Sequence, residues 1–266
     1  MADKTEKNTT VEKKYSVPAV VNAFEILKVL SRKKYKESTL TEIANAVGLT
    51  PATCYRLLQQ LKELSLVRYD NTKKRYTLGT YLVVLGERAK ENLDFIKISE
   101  PYLEEVTRRT GLTSLLVSRV DDMRLTQIAK HEGENYGINI SIGRHFNIFD
   151  GDSYGKCFLA FMEEAERKEL IDRVLDDEAE KAALEEELAT YRELGFVIRY
   201  SSGEKNRFPG IFGISCPIFL EPGNLELCLS VVGMTAQFSE EEVREVIAPQ
   251  LKQVADRLNE EFYDED

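Results

Sequence analysis

The side chains of this chain best suited to reading DNA lie within Leu40–Gln60, LTEIANAVGLTPATCYRLLQQ. In its second half Ala52, Thr53, Tyr55, Arg56, Gln59 and Gln60 share one side of a helical projection. Cys54, Leu57, Leu58, Leu61 and, just beyond, Leu64 share the other and are expected to face inward. Hydroxyl and amide groups beside one guanidinium are the donors and acceptors that base edges and phosphates require. Taken alone, these residues also fit an ordinary helical hairpin with a solvated polar face.

The flanking residues predict the elements that must hold that face. Thr39 with Glu42 forms a capping box that starts one helix. Gly48 can take the left-handed turn between the helices, and Thr50 caps the second with Pro51 at its first position. Next come two short strands, Leu66–Tyr69 and Arg75–Leu78, around the polar turn Asp70–Lys74. A helix-turn-helix followed by such a hairpin is a winged helix. Its basic residues Lys73, Lys74 and Arg75 are expected to lie along the phosphate backbone.

Charge is divided in the same way. Residues 1–80 hold 15 Lys/Arg against 8 Asp/Glu, a net of +7, whereas residues 81–266 hold 21 against 38, a net of −17. A basic module on an acidic body is what electrostatic attraction to DNA demands of a chain whose overall charge is −10.

At 266 residues there is room for two domains. No apolar run is long enough to span a membrane, and the charged N-terminus does not read as a signal peptide, so a cytoplasmic protein is expected. Cys54, Cys157, Cys216 and Cys228 are scattered in apolar surroundings without a CxxC pair, and there are only two histidines, His131 and His145. Buried thiols are expected rather than a metal site or a redox sensor, and no cofactor is called for. A hydrolase would need an activated nucleophile with its base. Ser153 stands in Asp-Ser-Tyr-Gly and neither histidine has an evident partner, so the chain is not expected to be an enzyme.

The expected organisation is a disordered tail at 1–15, a winged helix-turn-helix at 16–80, a helical linker at 81–95 and an α+β body at 96–262. Ser16 and Pro18 open a first helix whose apolar stripe is Val20, Val21, Phe24, Leu27 and Leu30. The linker has no Pro or Gly-rich break before Ile98 and is expected to be one stiff helix, able to pass a change between domains. In the body, a helix at 100–110 precedes strands at 112–120, 124–130 and 136–142. Asp152 or Ser153 caps another helix, two acidic helices follow, and strands recur at 196–200, 211–220 and 225–234. A last helix runs from Ser239 to about Phe262. Hairpin strands interleaved with helices suggest an antiparallel sheet forming a cup for a small molecule.

Together, VPAVVNAFEILKVL, LTEIANAVGLTPATCYRLLQQL and LVRY…RYTLG resemble, in order and spacing, the IclR family of bacterial transcription regulators. The C-terminal half continues the likeness. Tyr154-Gly155-Lys156 resembles the family's Leu-Gly-Lys, Arg192-Glu193-Leu194-Gly195-Phe196 its Arg-Glu-Arg-Gly-Tyr, and Pro209-Gly210-Ile211 its Pro-Gly-Val. Leu229-Ser230-Val231 fits the strand that lines the effector pocket. The resemblance covers about residues 16–262. It implies a winged helix-turn-helix on a double-stranded DNA operator, a linker helix, and a GAF-like domain binding a small-molecule effector. It also implies a homodimer or homotetramer.

Departures concern the ligand. Ile148-Phe149-Asp150-Gly151-Asp152-Ser153 stands where relatives have Leu-His-Ala-Thr-Ala, Gly213 stands where they have a cysteine, and Ser230-Val231-Val232 replaces Ser-x-Ser. The small-ketoacid pocket of some relatives is therefore not preserved. Phe146, Phe149, Phe158, Tyr200, Phe208 and Phe212 fall in the same segments, as pocket wall or as plain core. The expected pocket lies between the sheet and residues 144–155 and 199–213. Its candidate residues are Arg144, His145, Phe149, Asp150, Ser153, Gly155, Arg199 and Gly213, with Ser215, Cys216 and Ser230 as polar contacts, for an organic acid or an aromatic compound.

Overall fold

The computed structural model describes residues 17–133, 138, 140–150, 152–201 and 209–264. The expected disordered tail, the Ser16 cap and Phe208 lie outside the described residues. The chain divides into two compact units, Met1–Asn92 and Leu93–Asp266.

In the first unit, α1 (Pro18–Ser31), α2 (Leu40–Val47) and α3 (Pro51–Glu63) precede a hairpin of β1 (Val67–Asp70) and β2 (Arg75–Leu78). The local chemistry sets the boundaries. The Thr39 N–H donates to Glu42 Oε2 at 2.7 Å, and the Glu42 N–H to Thr39 Oγ1 at 3.3 Å, completing the capping box of α2. Gly48 ends α2 with φ +69°, a left-handed turn that a side chain would resist. Thr50 Oγ1 accepts from the Thr53 N–H at 3.3 Å and starts α3. Ile26, Leu30, Ile43, Leu58 and Val67 meet in a shared core that fixes the angle between α2 and α3.

Two expectations about that core need correction. On α1 the buried face is Ile26, Val29 and Leu30, while Val20, Val21 and Phe24 are 50–65% exposed. The helix is apolar on two sides, and periodicity alone does not say which one meets α2 and α3. Leu64, expected inward, is 53% exposed, because it caps α3 where the chain turns away from the core.

The linker helix α4 runs Tyr81–Asn92 with no buried residue. It does not continue unbroken: Leu93 leaves helical geometry at φ −97° and ψ 82°, and α5 begins at Asp94 and runs to Thr110.

The second unit is a six-stranded antiparallel sheet in the order β5-β4-β3-β8-β7-β6. The strands are β3 (Thr113–Arg119), β4 (Arg124–His131), β5 (His145–Asn147), β6 (Val197–Tyr200), β7 (Ile211–Glu221) and β8 (Asn224–Met234). Connecting them are α6 (Ser153–Phe161), α7 (Glu164–Val174) and α8 (Glu178–Leu194). At the end α9 (Glu240–Glu242) passes through a π-helical turn, Val243–Ile247, into α10 (Ala248–Asp264). The strand expected at 136–142 is not found at Ile138 or at residues 140–142, and the rest of that span lies outside the described residues. Its place beside β4 is taken by β5, after the left-handed turn at Gly143 (φ +81°).

Strand alternation sends neighbouring residues into opposite layers. Ile214, Cys216, Ile218, Leu227, Leu229 and Val231 pack with α5 and α10. Val117, Leu125, Val197, Cys228 and Val232 pack with α6, α7 and α8. The sheet thus has helices on both faces, and residues that share a function must share its parity.

Candidate nucleic-acid interface and effector site

On α3, Ala52, Tyr55, Arg56 and Gln60 are exposed, and Cys54, Leu58 and Leu61 are buried beneath them. The remaining outward residues are tethered. The Thr50 hydroxyl donates to Thr53 Oγ1 at 2.9 Å, which ties both to the cap. Gln59, half-buried, is hydrogen-bonded to Tyr76, whose phenol is held above its ordinary pKa by burial and neighbouring groups despite that bond. Tyr55, 49% exposed, and Arg56 are the freer pair near the N-terminal half of the helix.

The hairpin is built to hold its tip. Asp70 Oδ1 accepts from the Thr72 and Lys73 amides at 2.8 and 3.0 Å, and Lys74 sits at the tip with φ +56°. Ser38 pairs with Tyr76 through two backbone hydrogen bonds, fastening the wing to the segment before α2. The three basic residues are not equivalent. Arg75 opens β2 and turns back, its Nη1 donating to the Glu37 carbonyl at 2.7 Å and to Glu42 Oε2 at 3.3 Å. It braces the wing against the start of α2, whereas Lys74 is presented outward and Lys73 lies 3.5 Å from Glu37 Oε2.

In the second unit, Ser153, Ser215 and Ser230 come together although they are far apart in sequence. Asp152 caps α6 by accepting from the Gly155 N–H at 2.8 Å, which aims Ser153 at the sheet. The Ser215 hydroxyl donates to Ser153 Oγ at 2.9 Å and lies 2.7 Å from Ser230 Oγ. Because Ser215 has only one proton, Ser230 donates to it, and Ser153 keeps its own proton to give. All three are buried. Gly213 belongs to the same place, since a Cβ there would lie 2.6 Å from Ser153 Oγ. Gly155 acts by close approach: a Cβ would lie 2.1 Å from the Ile148 carbonyl oxygen.

Other candidates are placed elsewhere. Cys216 neighbours Ser215, so strand alternation puts it on the opposite face with α10, away from the serines. Tyr200 and Phe212 stack at 6.1 Å in that same opposite layer. Arg144 and His145 are exposed at edge strand β5, with the Arg144 guanidinium 5.0 Å from the Phe146 ring centroid. Asp150 Oδ2 accepts from the Asn147 N–H at 3.0 Å in the following turn. Phe149 lines a groove of about 380 Å³ between α6 and α8, together with Leu159, Leu184, Lys156 and Glu187.

Arg199 pairs with Glu187 of that groove rather than with the serines, its Nη1 3.0 Å from Glu187 Oε1. Lys156 Nζ lies 2.6 Å from Glu187 Oε2, and the Tyr191 hydroxyl donates to Glu187 at 3.0 Å. Burial alone would raise the Glu187 pKa, but Lys156, Tyr191 and Arg199 outweigh it and hold the carboxyl below its ordinary value. A depressed carboxyl stabilises the fold above its unfolded pKa, about 4.3, and that contribution is lost as pH falls through the folded value. Glu187→Gln is expected to cost about 1–2 kcal/mol at pH 7, screening included. The gap between the urea midpoints of variant and parent should start to narrow as pH falls below about 4 and close once it is below the folded pKa.

Burial pushes the Cys54 thiol up to about 11 and those of Cys157 and Cys216 well above their ordinary value, which disfavours thiolate chemistry. Among the described residues no group of three or more His, Cys, Asp or Glu could hold a metal ion, and no helix is long and apolar enough to cross a membrane. Sequence reasoning missed Gln127 and Tyr154, both buried on the α6 side of the sheet. A polar residue two positions after Leu125, at an inward place of β4, was the available signal.

Residues 19–71 match the IclR helix-turn-helix domain, and residues 87–260 match the family described as bacterial transcriptional regulator IclR C-terminal. The chain is 28% identical over 236 residues to the HTH-type transcriptional regulator KdgR of Escherichia coli (strain K12), covering 88% of each. An IclR transcriptional regulator from Alicyclobacillus acidocaldarius, 34% identical, superposes with a TM-score of 0.80 over 92% of this chain and 99% of that one. An IclR homolog from Microbacterium hydrocarbonoxydans, solved in complex with 4-hydroxybenzoate, shares the fold at 17% identity with a TM-score of 0.73, over 92% of this chain and 98% of that one. The chain therefore belongs to the IclR family of transcription regulators, with a helix-turn-helix DNA-binding domain and a C-terminal effector-binding domain, and it is not an enzyme.

Proposed function

We propose that this regulator grips a double-stranded operator with Tyr55, Arg56 and Gln60 on bases and Lys73 and Lys74 on phosphates. An effector, an organic acid or an aromatic compound, is sensed on the α6 face of the C-terminal sheet. The observation that carries the effector site is the buried hydroxyl chain Ser230–Ser215–Ser153, which joins β7 and β8 to the start of α6. Polar groups at this density inside an apolar layer suit recognition better than packing. The 4-hydroxybenzoate complex of the Microbacterium hydrocarbonoxydans homolog is compatible with an aromatic acid as the ligand class.

A ligand changes DNA affinity only as far as it prefers one arrangement of the protein over another. Ser230→Val replaces the β8 end of that hydroxyl chain with an apolar branch. It is expected to leave operator binding without ligand intact and to abolish effector-dependent release, as read by fluorescence anisotropy of labelled operator. Normal release by the variant would mean that the effector binds elsewhere.

Two recognition helices must reach successive major grooves about 34–36 Å apart, which calls for a two-fold dimer. The exposed Val20, Val21 and Phe24 of α1 and Val83, Val84 and Leu85 of α4 offer apolar surface for it. Light scattering at micromolar concentration should show a dimer or tetramer. Phe24→Asp should lower that mass and weaken palindrome binding at least tenfold. A monomeric parent that still binds the palindrome would contradict the assembly. A cytoplasmic location follows from this function.

A further inference from the structure

Gln127 is 4% exposed on β4, and its Nε2 donates to the Tyr154 hydroxyl of α6 at 3.3 Å. Its Oε1 is buried with no hydrogen-bond partner among the described residues. Buried side-chain amides are almost always satisfied, so a half-satisfied one needs a reason. The backbone here is not loose. The Gln127 N–H donates to the Arg144 carbonyl at 3.3 Å and its carbonyl accepts from the Gly143 N–H at 2.8 Å. The β3–β4 register shifts immediately beyond it, with Val117 opposite Gln127 and Leu116 opposite Ala129. Alternation from Leu125 aims the amide at α6, and the extra residue of the bulge, Ile128, falls beyond it on the opposite face.

The pair then offers a defined pattern. Tyr154, which accepts the amide hydrogen, keeps its own proton, because burial and the Asp152 carboxylate hold the phenol far above its ordinary pKa. The amide oxygen offers an acceptor and the phenol a donor, both neutral. Whichever way the amide is flipped, the pair presents one acceptor with donors beside it, since the amide keeps a second N–H. A carboxylate or ketone only accepts, and an ammonium only donates. A hydroxyl does both and matches the pair.

We propose that Gln127 and Tyr154 are the hydroxyl-reading contact of the effector pocket, selecting a hydroxylated small molecule over its deoxy counterpart. The inference rests on the effector occupying the α6 face of the sheet. A hydroxyl of this kind belongs to sugar-derived acids and to phenolic acids alike, and the test separates these sources. Sites built to hydrogen-bond a hydroxyl reject the analogue that lacks it, because the partners are then left unpaired.

The experiment uses the full chain, with D-gluconate against hexanoate and 4-hydroxybenzoate against benzoate, read by melting temperature and by release of operator. One hydroxylated acid is expected to bind at least tenfold more tightly than its deoxy partner, and which pair responds identifies the source. Gln127→Met, close in shape, should remove that preference by weakening the hydroxylated acid at least tenfold while leaving its partner unchanged. Tyr154→Phe should do the same, and it decides the matter if Gln127→Met melts too low to assay. A preserved preference in the assayed variant, or no response to either hydroxylated acid at millimolar concentration, overturns the proposal. Ser230→Val distinguishes the underlying reading. If it still responds to the hydroxylated acid, the site itself is misplaced. If it does not respond while Gln127→Met keeps the preference, only the hydroxyl contact fails.

Discussion

Arg56→Ala is expected to weaken operator binding by about 1–3 kcal/mol and to relax the preference at one base position in each half-site. The magnitude is that of one bidentate guanidinium contact to a guanine edge, and the location follows from α3. Arg56 is exposed beside Tyr55 in the N-terminal half of the helix, the part that enters the major groove in helix-turn-helix proteins. Binding to a set of operator variants checks it. Loss confined to one position marks a reader of bases, whereas equal loss on every sequence marks a phosphate contact. Neutralising Lys73 and Lys74 supplies the comparison. It should lower affinity on specific and random DNA alike and make the salt dependence shallower by about one counterion for each contact. Arg75→Ala should not reproduce that salt effect if its guanidinium stays with Glu37 and Glu42.

Gly155→Val is expected to destabilise the C-terminal unit by about 3 kcal/mol or more, at the upper end of what overpacking costs. Even the first added carbon would overlap the Ile148 carbonyl oxygen, at 2.1 Å, and also approach Asp152 Oδ1 at 3.4 Å. Neither the backbone oxygen nor the start of α6 can move alone, since Asp152 caps the helix through the Gly155 N–H. The substitution therefore has to part α6 from the loop after β5, and with it Ser153 from Ser215. Chemical denaturation should show an early transition in the second unit while the helix-turn-helix unit keeps its own. An unchanged midpoint would mean that the loop yields freely and that the close approach has no structural weight.

Much of the helix-turn-helix unit was legible in the sequence because its signals are local. Thr39 with Glu42, Gly48, Thr50 with Pro51 and the alternation of Cys54, Leu58 and Leu61 each act within a turn or two of helix. They mark the elements before any tertiary contact forms. The same holds for Asp152 at α6, Gly195 at the end of α8 and Ser239 before α9.

What the residues by themselves determined is therefore the family, the order of the elements and the outward face of α3. The tertiary structure decided which of two apolar faces of α1 is core, because the choice depends on where α2 and α3 lie. It decided that Arg75 braces the wing, through partners 33 and 38 residues away. In the effector domain it separated Ser215 from its neighbour Cys216 and joined it to Ser153, 62 residues distant. Local sequence carries periodicity and caps, but the parity of a strand against a helix is settled only when the sheet is assembled. That is why Gln127, an unremarkable amide in the linear chain, becomes a buried polar group facing α6 once β4 is in register with β3.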